Sequence, residues 1–546
     1  MCIVKEKSKS KDDVALPVIQ RKKRARTRWT VLFIAQFLIL FHIALWLLAK
    51  RYGWFGGATI TPIEPSEGME FVKNGVINAG AIFFVLALLS TWFFGRWFCG
   101  WGCHIVFLQD GCYWLLRKIG IRPRPFRARL LAWVPLGIAL YMFAWPLFYR
   151  IAIAPWTQPE LRWPGITTDL TTTHFWETFV SPLMAIPFLF VCGFATVYTL
   201  GAKGFCTYGC PYGGFFAPLD RISPMHIRVN ENCQQCGKCT AVCTSNVRVH
   251  EEVHIHKMVV DSGCMKTMDC IDACPNEALS VGFGPIAFGK RNEQQSGPKY
   301  DLSIRGEMWI AGIFLAGFFS FRGLYASIPM LMAVGMALVS TWIIWKGVAI
   351  LRGQNVSWHK HQLKYHGSLR PAGKIVLGIS LLVGLCTIQS AGVGLFIAAG
   401  NAALKRSDTA SALSFYQWSG PMTDGGIGFA SNPNIDREMS RIHESQGEFV
   451  LAERLLRRLG RFVGEDELAT MLLGQNLQLH RDPVLVEQFY LTELEANRTW
   501  ALVWEDYVAW LRREGRREDA VKASTAANNL NPNAHRLQLQ WQLLHR

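Results

Sequence analysis

Charge is scarce in this sequence, and acid is scarcer than base. Only 18% of the 546 residues are charged, with 40 Asp+Glu against 57 Lys+Arg, where soluble domains carry roughly 25%. Cysteine is missing from the whole C-terminal part: all 15 lie at or before Cys386. So little charge excludes a disordered chain and a purely soluble enzyme. Long apolar runs take its place, and 50% of the residues are hydrophobic, among them 34 Phe and 21 Trp. The composition is that of a polytopic α-helical membrane protein.

A helical span needs ~20 mostly apolar residues. Such runs predict seven spans, near Trp29–Ala49, Val76–Phe94, Leu130–Tyr149, Phe179–Leu200, Met308–Tyr325, Ile328–Ile350 and Ile375–Ala399. The first follows the basic stretch Arg21–Arg28 and lacks a small-residue cleavage site, so it is expected to be an uncleaved anchor. Arg322 interrupts the fifth run, where a re-entrant segment is the alternative. Lys and Arg gather before the first span, between the second and third (Arg117 to Arg129) and between the sixth and seventh (Lys346 to Lys374). The loops Arg51–Gly75 and Ile151–Thr178 are sparsely basic. This bias predicts a cytoplasmic N-terminus and an extracytoplasmic C-terminal part. The net charge of +17 does not point to nucleic acid. Gly400–Arg546 has 17 basic and 19 acidic residues, so the excess belongs to the membrane part, where it orients spans and meets anionic lipid.

Seven cysteines fall between Cys233 and Cys274. In a reducing compartment such clusters are metal ligands more often than disulfides. Cys233, Cys236, Cys239 and Cys243 have the two-two-three spacing of a bacterial-type ferredoxin, in which three thiolates hold one cubane and the fourth serves the other cluster. A zinc site instead pairs two short Cys-x-x-Cys elements. The second motif, Cys264, Cys270 and Cys274-Pro275, repeats the register with Thr267 where a cysteine belongs. Cross-pairing assigns Cys233, Cys236, Cys239 and Cys274 to one 4Fe–4S cluster. The other receives Cys243, Cys264 and Cys270, one thiolate short. It is expected to be a 3Fe–4S cluster, with a 4Fe cluster completed by an oxygen of Asp269 or water as the alternative. Between the motifs, His250-Glu251-Glu252-Val253-His254 imitates a zinc-protease pattern that needs a helix. The alternating β-branched flanks instead predict a solvated hairpin.

Phe98-Cys99-Gly100-Trp101-Gly102-Cys103 and Phe205-Cys206-Thr207-Tyr208-Gly209-Cys210 follow the second and fourth spans. Both read Phe-Cys-x-aromatic-Gly-Cys, which suggests an internal repeat of span pairs. On a helix each pair would share a face at i and i+4, so Cys99, Cys103, Cys206 and Cys210 are expected to converge on a metal or redox site. Cys2, Cys112, Cys192 and Cys386 have no partner at ligand spacing and are expected to be structural.

With these motifs the chain resembles the membrane polyferredoxins related to NapH, CcoG (FixG, RdxA) and the C-terminal part of NosR, over roughly Trp29 to Gly284. His104 and Thr267 depart from the family's pattern. The resemblance implies a bacterial cytoplasmic-membrane protein that relays electrons between the quinone pool and a respiratory or metal-handling partner protein. A maturation factor that reduces copper or another metal for an oxidase or reductase is the rival, and a redox-sensing scaffold a third reading.

In the C-terminal part, Trp504, Gly515, Ala520, Ala527 and Pro532 have tetratricopeptide-repeat spacing, and Arg437–Leu459, with Gly447 and Ala452, resembles a degenerate copy. Such units bury their faces by stacking and dock protein partners. The Gly- and Ser-rich stretch Ser407–Asn434 is expected to be irregular, and its Gly425-Gly426-Ile427-Gly428 lacks the context of a nucleotide fingerprint. The expected organisation is a basic tail (1–28), a four-span region (29–227), an inserted α+β dicluster ferredoxin domain (228–284), a three-span region (285–399) and an all-α helical-repeat domain (400–546).

Overall fold

The computed structural model describes residues 18–52, 54–172, 175–178, 182–290, 300–353, 355–359, 361–463, 467–498, 500–531 and 535–544. Cys2 and Pro532 lie outside the described residues. The chain divides into two compact units, one of residues 1–322 with 329–384 and one of residues 323–328 with 385–546.

Among the described residues five helices are long and apolar enough to cross a membrane: Arg24–Tyr52, Leu131–Thr157, Ile304–Phe321, Met330–Arg352 and Pro371–Lys405. The second and fourth expected spans are the shorter helices Ala79–Phe94 and Met184–Leu200. The 16 residues of Ala79–Phe94 rise about 24 Å, less than the ~30 Å hydrocarbon core. Each short helix stops at a left-handed glycine, Gly95 (φ 62°) or Gly201 (φ 104°). The chain then turns into a cysteine motif. Leu131–Thr157 contains two π-helical turns, Leu140–Ala144 and Tyr149–Ile153, on either side of Pro146, whose missing N–H breaks the regular ladder. Arg322 caps Ile304–Phe321 rather than interrupting it, and its guanidinium lies 4.7 Å from the Tyr141 ring.

The cysteine-rich insert is framed by the antiparallel strands Met225–Val229 and Leu279–Phe283. Between them lie the single-turn helices Lys238–Ala241 and Asp269–Asp272 and the helix Val249–His256. The last of these corrects the expected hairpin: the His-Glu-Glu-Val-His segment is helical. Its β-branched residues are overridden by tertiary contacts, because the buried Glu252 carboxylate accepts the backbone N–H groups of Val260 (2.9 Å) and Asp261 (3.0 Å). Left-handed Lys257 (φ 59°) ends the helix. His250 Nδ1 is bonded to Thr240 Oγ1 and His254 Nδ1 to Gln235 Nε2, each at 2.8 Å. Both histidines are therefore engaged in fixing the first cysteine loop.

The second unit is helical. Thr409–Ser419 is a helix capped by Asp408, which corrects the expectation that Ser407–Asn434 is irregular throughout; only the glycine turn after Asp424 is. The remaining helices include the hairpins Pro433–Ser445 with Phe449–Val463 and Ala501–Arg513 with Arg517–Leu530. Gly447 (φ 77°) and Gly515 (φ 75°) make equivalent left-handed turns in the two hairpins. Ala452, Ala520 and Ala527 are fully buried, so these small side chains let the paired helices approach closely.

Candidate iron–sulfur sites

The two ferredoxin-type loops are conformational copies 31 residues apart. Gln235, Gly237 and Asn246 have positive φ, and so do Lys266, Met268 and Glu277 at the matching positions. Each loop then enters a single helical turn, at Lys238 or at Asp269. Met268 adopts with a side chain the left-handed geometry that Gly237 adopts freely, a strain tolerated mostly at functional sites.

Cys233, Cys236, Cys239 and Cys274 line one small cavity together with Gln235, His250, Pro275 and Leu279. The backbone N–H of Ala278 points at Cys274 Sγ (3.2 Å). Four thiols around one space, with an amide already aimed at a sulfur, suit a cubane, whose potential responds to hydrogen bonds at its sulfurs. Cys236 is exposed.

Cys243, Cys264 and Cys270 gather on the other side of the loops, in an apolar core with Ile227, Val247, Val253, Val259 and Ile271. Burial, reinforced by the neighbouring Cys264 thiol, pushes Cys243 up to about 12. Thr267, which stands in the sequence where a fourth cysteine belongs, is buried. The Asp269 carboxylate lies within electrostatic reach of both Cys243 and Cys270 and accepts from Thr244 Oγ1 at 3.3 Å. Among the described residues no three His, Cys, Asp or Glu side chains converge on a single-ion position. A cubane instead spreads its ligands over the corners of a cluster.

The membrane-boundary cysteines are built by a second duplication, 107 residues apart. Each motif is a five-residue helix, Trp97–Trp101 or Gly204–Tyr208, holding Cys99 or Cys206. Cys103 and Cys210 then serve as N-caps of the helices His104–Lys118 and Pro211–Ile222. The cysteines of a pair therefore do not share one continuous helical face; the helix breaks between them at Gly102 or Gly209. The break explains the motif. Gly102 N–H bonds Phe98 O at 2.9 Å and Gly209 N–H bonds Phe205 O at 2.7 Å. A Cβ at Gly102 would stand 2.8 Å from the Phe98 ring, and one at Gly209 2.9 Å from the Phe205 ring. The phenylalanine folds over its own turn, so only glycine fits there.

All four thiols lie within each other's electrostatic reach. Burial first, then the neighbouring thiols Cys210 and Cys99, push Cys103 up to about 12. Burial likewise pushes Cys210 up to about 11 against the amides of Gly213 and Tyr212. Thiols this dry stay protonated unless a bound cation or cluster stabilises their thiolates.

A family profile described as "4Fe-4S binding domain" matches the chain twice, at residues 78–122 and 182–230. Each match covers one short apolar helix, one Cys-x3-Cys turn and the helix it caps. The ferredoxin-type protein NapH of Haemophilus influenzae is 23% identical over 45% of this chain and 84% of its own length. The chain is similar to the membrane polyferredoxins of the NapH family. The methylamine utilization ferredoxin-type protein MauN of Methylorubrum extorquens is 24% identical over 37% of this polyferredoxin and 67% of its own length. YccM of Escherichia coli, named for electron transport, is 26% identical over 56% and 88% respectively. No solved structure matches. The polyferredoxin is an iron–sulfur electron-transfer protein of the membrane.

Cys192 is fully buried, with its thiol against Leu331 O, and Cys112 and Cys386 are partly buried without a cysteine partner. Six buried charges around these sites escaped the sequence reading: Arg28, Arg96, Asp110, Lys203, Asp220 and Lys266. A signal was present, since Arg96 and Lys203 each stand three residues before a motif cysteine.

Proposed function

We propose that this polyferredoxin relays electrons between the membrane quinone pool and a respiratory or metal-handling partner. In this reading Cys99, Cys103, Cys206 and Cys210 hold a further iron–sulfur centre beside the two ferredoxin-type ones. Cys233, Cys236, Cys239 and Cys274 hold a 4Fe–4S cluster. Cys243, Cys264 and Cys270 hold a 3Fe–4S cluster, or a 4Fe–4S cluster completed by Asp269. Clusters so held supply one-electron carriers; the protein supplies spacing, burial and charge.

One observation carries the reading: the second ferredoxin loop is docked on the first membrane-boundary turn. Trp101 Nε1 donates to Lys266 O at 2.9 Å, and a Cβ at Gly100 would be driven into the carbonyl oxygen of Met265. The two sets of cysteines thus meet through backbone contact. A cavity of about 530 Å³ with Cys243 on its wall is lined also by Tyr113, Arg122, Arg124 and His359. Its aromatic and polar walls suit a quinol head group.

A parity argument supports the membrane arrangement. Arg28, at the start of the first long helix, bonds Gly100 O at 2.7 Å, so the helix Ala79–Phe94 has to return the chain to the side it left. Convergence of Cys206 with Cys99 asks the same of Met184–Leu200. With the Lys/Arg bias, all cysteine sites and the N-terminus then lie on the cytoplasmic side of the inner membrane. Residues 400–546 lie on the other, as a tetratricopeptide-like docking module.

Soft thiols also suit Cu(I), which keeps a metal-reducing maturation factor as the second reading, although among the described residues no three ligands converge on a single-ion position. Anaerobic purification, iron and sulfide analysis, and an EPR-monitored titration with a quinol analogue test the proposal. Signals reduced by quinol support the relay; metal release coupled to oxidation supports the alternative. Iron sufficient for fewer than two clusters overturns the cluster assignment.

A further inference from the structure

Six charged side chains are buried around the membrane-boundary cysteines in two sets of three. Asp220, 1% exposed, receives the Lys266 ammonium at 2.8 Å and the backbone N–H of Arg96 at 2.9 Å. Asp110 is paired with both Arg28 and Lys203. The sets are exchanged between the repeats. Arg96 precedes Cys99 but binds the acid that follows Cys210, while Lys203 precedes Cys206 but binds the acid that follows Cys103.

Taken alone, each set contains two cations and one carboxylate and so carries one excess positive charge, while the buried Glu252 carboxylate acts on Cys264 from outside the first set. Burying an unmatched charge is unfavourable, so an anion has to face it. The cysteines supply that anion. The Arg96 guanidinium donates to Ser262 O at 2.9 Å and lies within electrostatic reach of Cys99 and Cys210. Lys266 faces Cys264, and Lys203 faces Cys206. Gly95 completes the arrangement, because at φ 62° a Cβ there would strike the Asp220 carboxylate. Docking of the second loop is made by the backbone oxygens of Met265 and Lys266, while the Lys266 side chain pairs with Asp220.

We propose that Arg96, Asp220 and Lys266 form a charge bridge between the membrane-boundary site and the second ferredoxin site, and that its unmatched positive charge raises the reduction potential at both. Asp220 and the Lys266 side chain are positioning groups; the Lys266 backbone N–H also reaches the Cys264 thiol. The bridge rests on the reading of both cysteine sets as iron–sulfur sites. Net charge near a cluster is one of the determinants of its potential.

The test is an EPR-monitored redox titration of the full-length protein in membranes, with dithionite as reductant. Lys266→Met removes the unmatched charge. It is expected to lower the reduction equilibrium constant of the Cys243/Cys264/Cys270 site about tenfold, about 59 mV for one electron, and to leave the Cys233/Cys236/Cys239/Cys274 site unmoved. The double variant Lys266→Met with Asp220→Asn restores the original net charge and is expected to bring the potential back. Lys266→Arg should hold it throughout. Unchanged potentials in Lys266→Met, or a double variant displaced further than the single one, overturn the charge bridge. If Lys266→Met does not fold, a folded double variant at the original potential still supports it, and one displaced from that potential overturns it. Iron content of Cys99→Ala and Cys264→Ala separates the two levels. Undiminished iron refutes the cluster reading, whereas diminished iron with immobile potentials refutes the bridge alone.

Discussion

The two ferredoxin-type loops share a backbone but not an environment. The loop from Cys233 to Cys239 presents Cys236 to solvent, and its cavity is lined by uncharged side chains and His250. The loop from Cys264 to Cys270 is buried, with both cysteines 7% exposed, and has Lys266, Asp220 and Arg96 beneath it. Duplication supplied the same ligand geometry twice. Packing then left one copy facing outward, with Cys236 exposed, and turned the other inward against the membrane-boundary turn.

The strongest way to break this comparison is to remove the site on which only the inward loop rests. Cys206→Ala should lower quinol-driven reduction of the outward site by at least ~100-fold, while dithionite still produces that site's EPR signal. Cys99→Ala, Cys103→Ala and Cys210→Ala should match it, because losing one ligand of a shared centre disables the whole centre. Four mild, unequal phenotypes would return these residues to a structural role.

Thr267→Cys makes the two loops alike in ligands while leaving them unlike in burial. If the inward site holds a 3Fe cluster, the wild type shows an EPR signal when oxidised. The variant should lose that signal and gain a second reduced 4Fe signal. An EPR-silent oxidised wild type with eight irons in the insert would assign the fourth ligand to an oxygen, of Asp269 or of water.

Gly100→Ala tests the docking itself. Its Cβ has to displace the Met265 carbonyl, and overpacking of this kind costs about 1–3 kcal/mol. A lowered thermal midpoint is expected, with transfer between the inward and membrane-boundary sites slowed several-fold and the outward site unaffected.

The smallest effect is on pH. Burial first, then the Lys266 cation, lower His226 to about 4, and its Nε2 is bonded to Ser223 O at 2.9 Å. The folded state therefore resists a proton that the unfolded chain takes up near 6.5. The contribution of neutral His226 is complete above about pH 6.5 and is lost as pH falls toward 4, a difference of about 3 kcal/mol at most. Acid unfolding monitored at the inward site should begin near pH 6, and His226→Gln should flatten that limb.

What the sequence by itself determined is whatever depends on spacing along the chain. Cysteines two or three residues apart lie in one local loop, so the two conformationally matched cysteine loops were legible, and so was the duplicated Phe-Cys-x-aromatic-Gly-Cys turn. Apolar runs of ~20 residues announced the long spans for the same reason. Tertiary structure decided everything that depends on distant partners. The alternating Val and His residues around His250 spelled strands, yet Glu252 reached the amides of Val260 and Asp261 and made the segment a helix. Asp220 was an ordinary acid near a helix end until Lys266, 46 positions away, placed its ammonium on it and Arg96, 124 positions away, its backbone N–H. Local geometry is written in neighbouring residues, whereas the balance of buried charge is a sum over groups that only folding brings together.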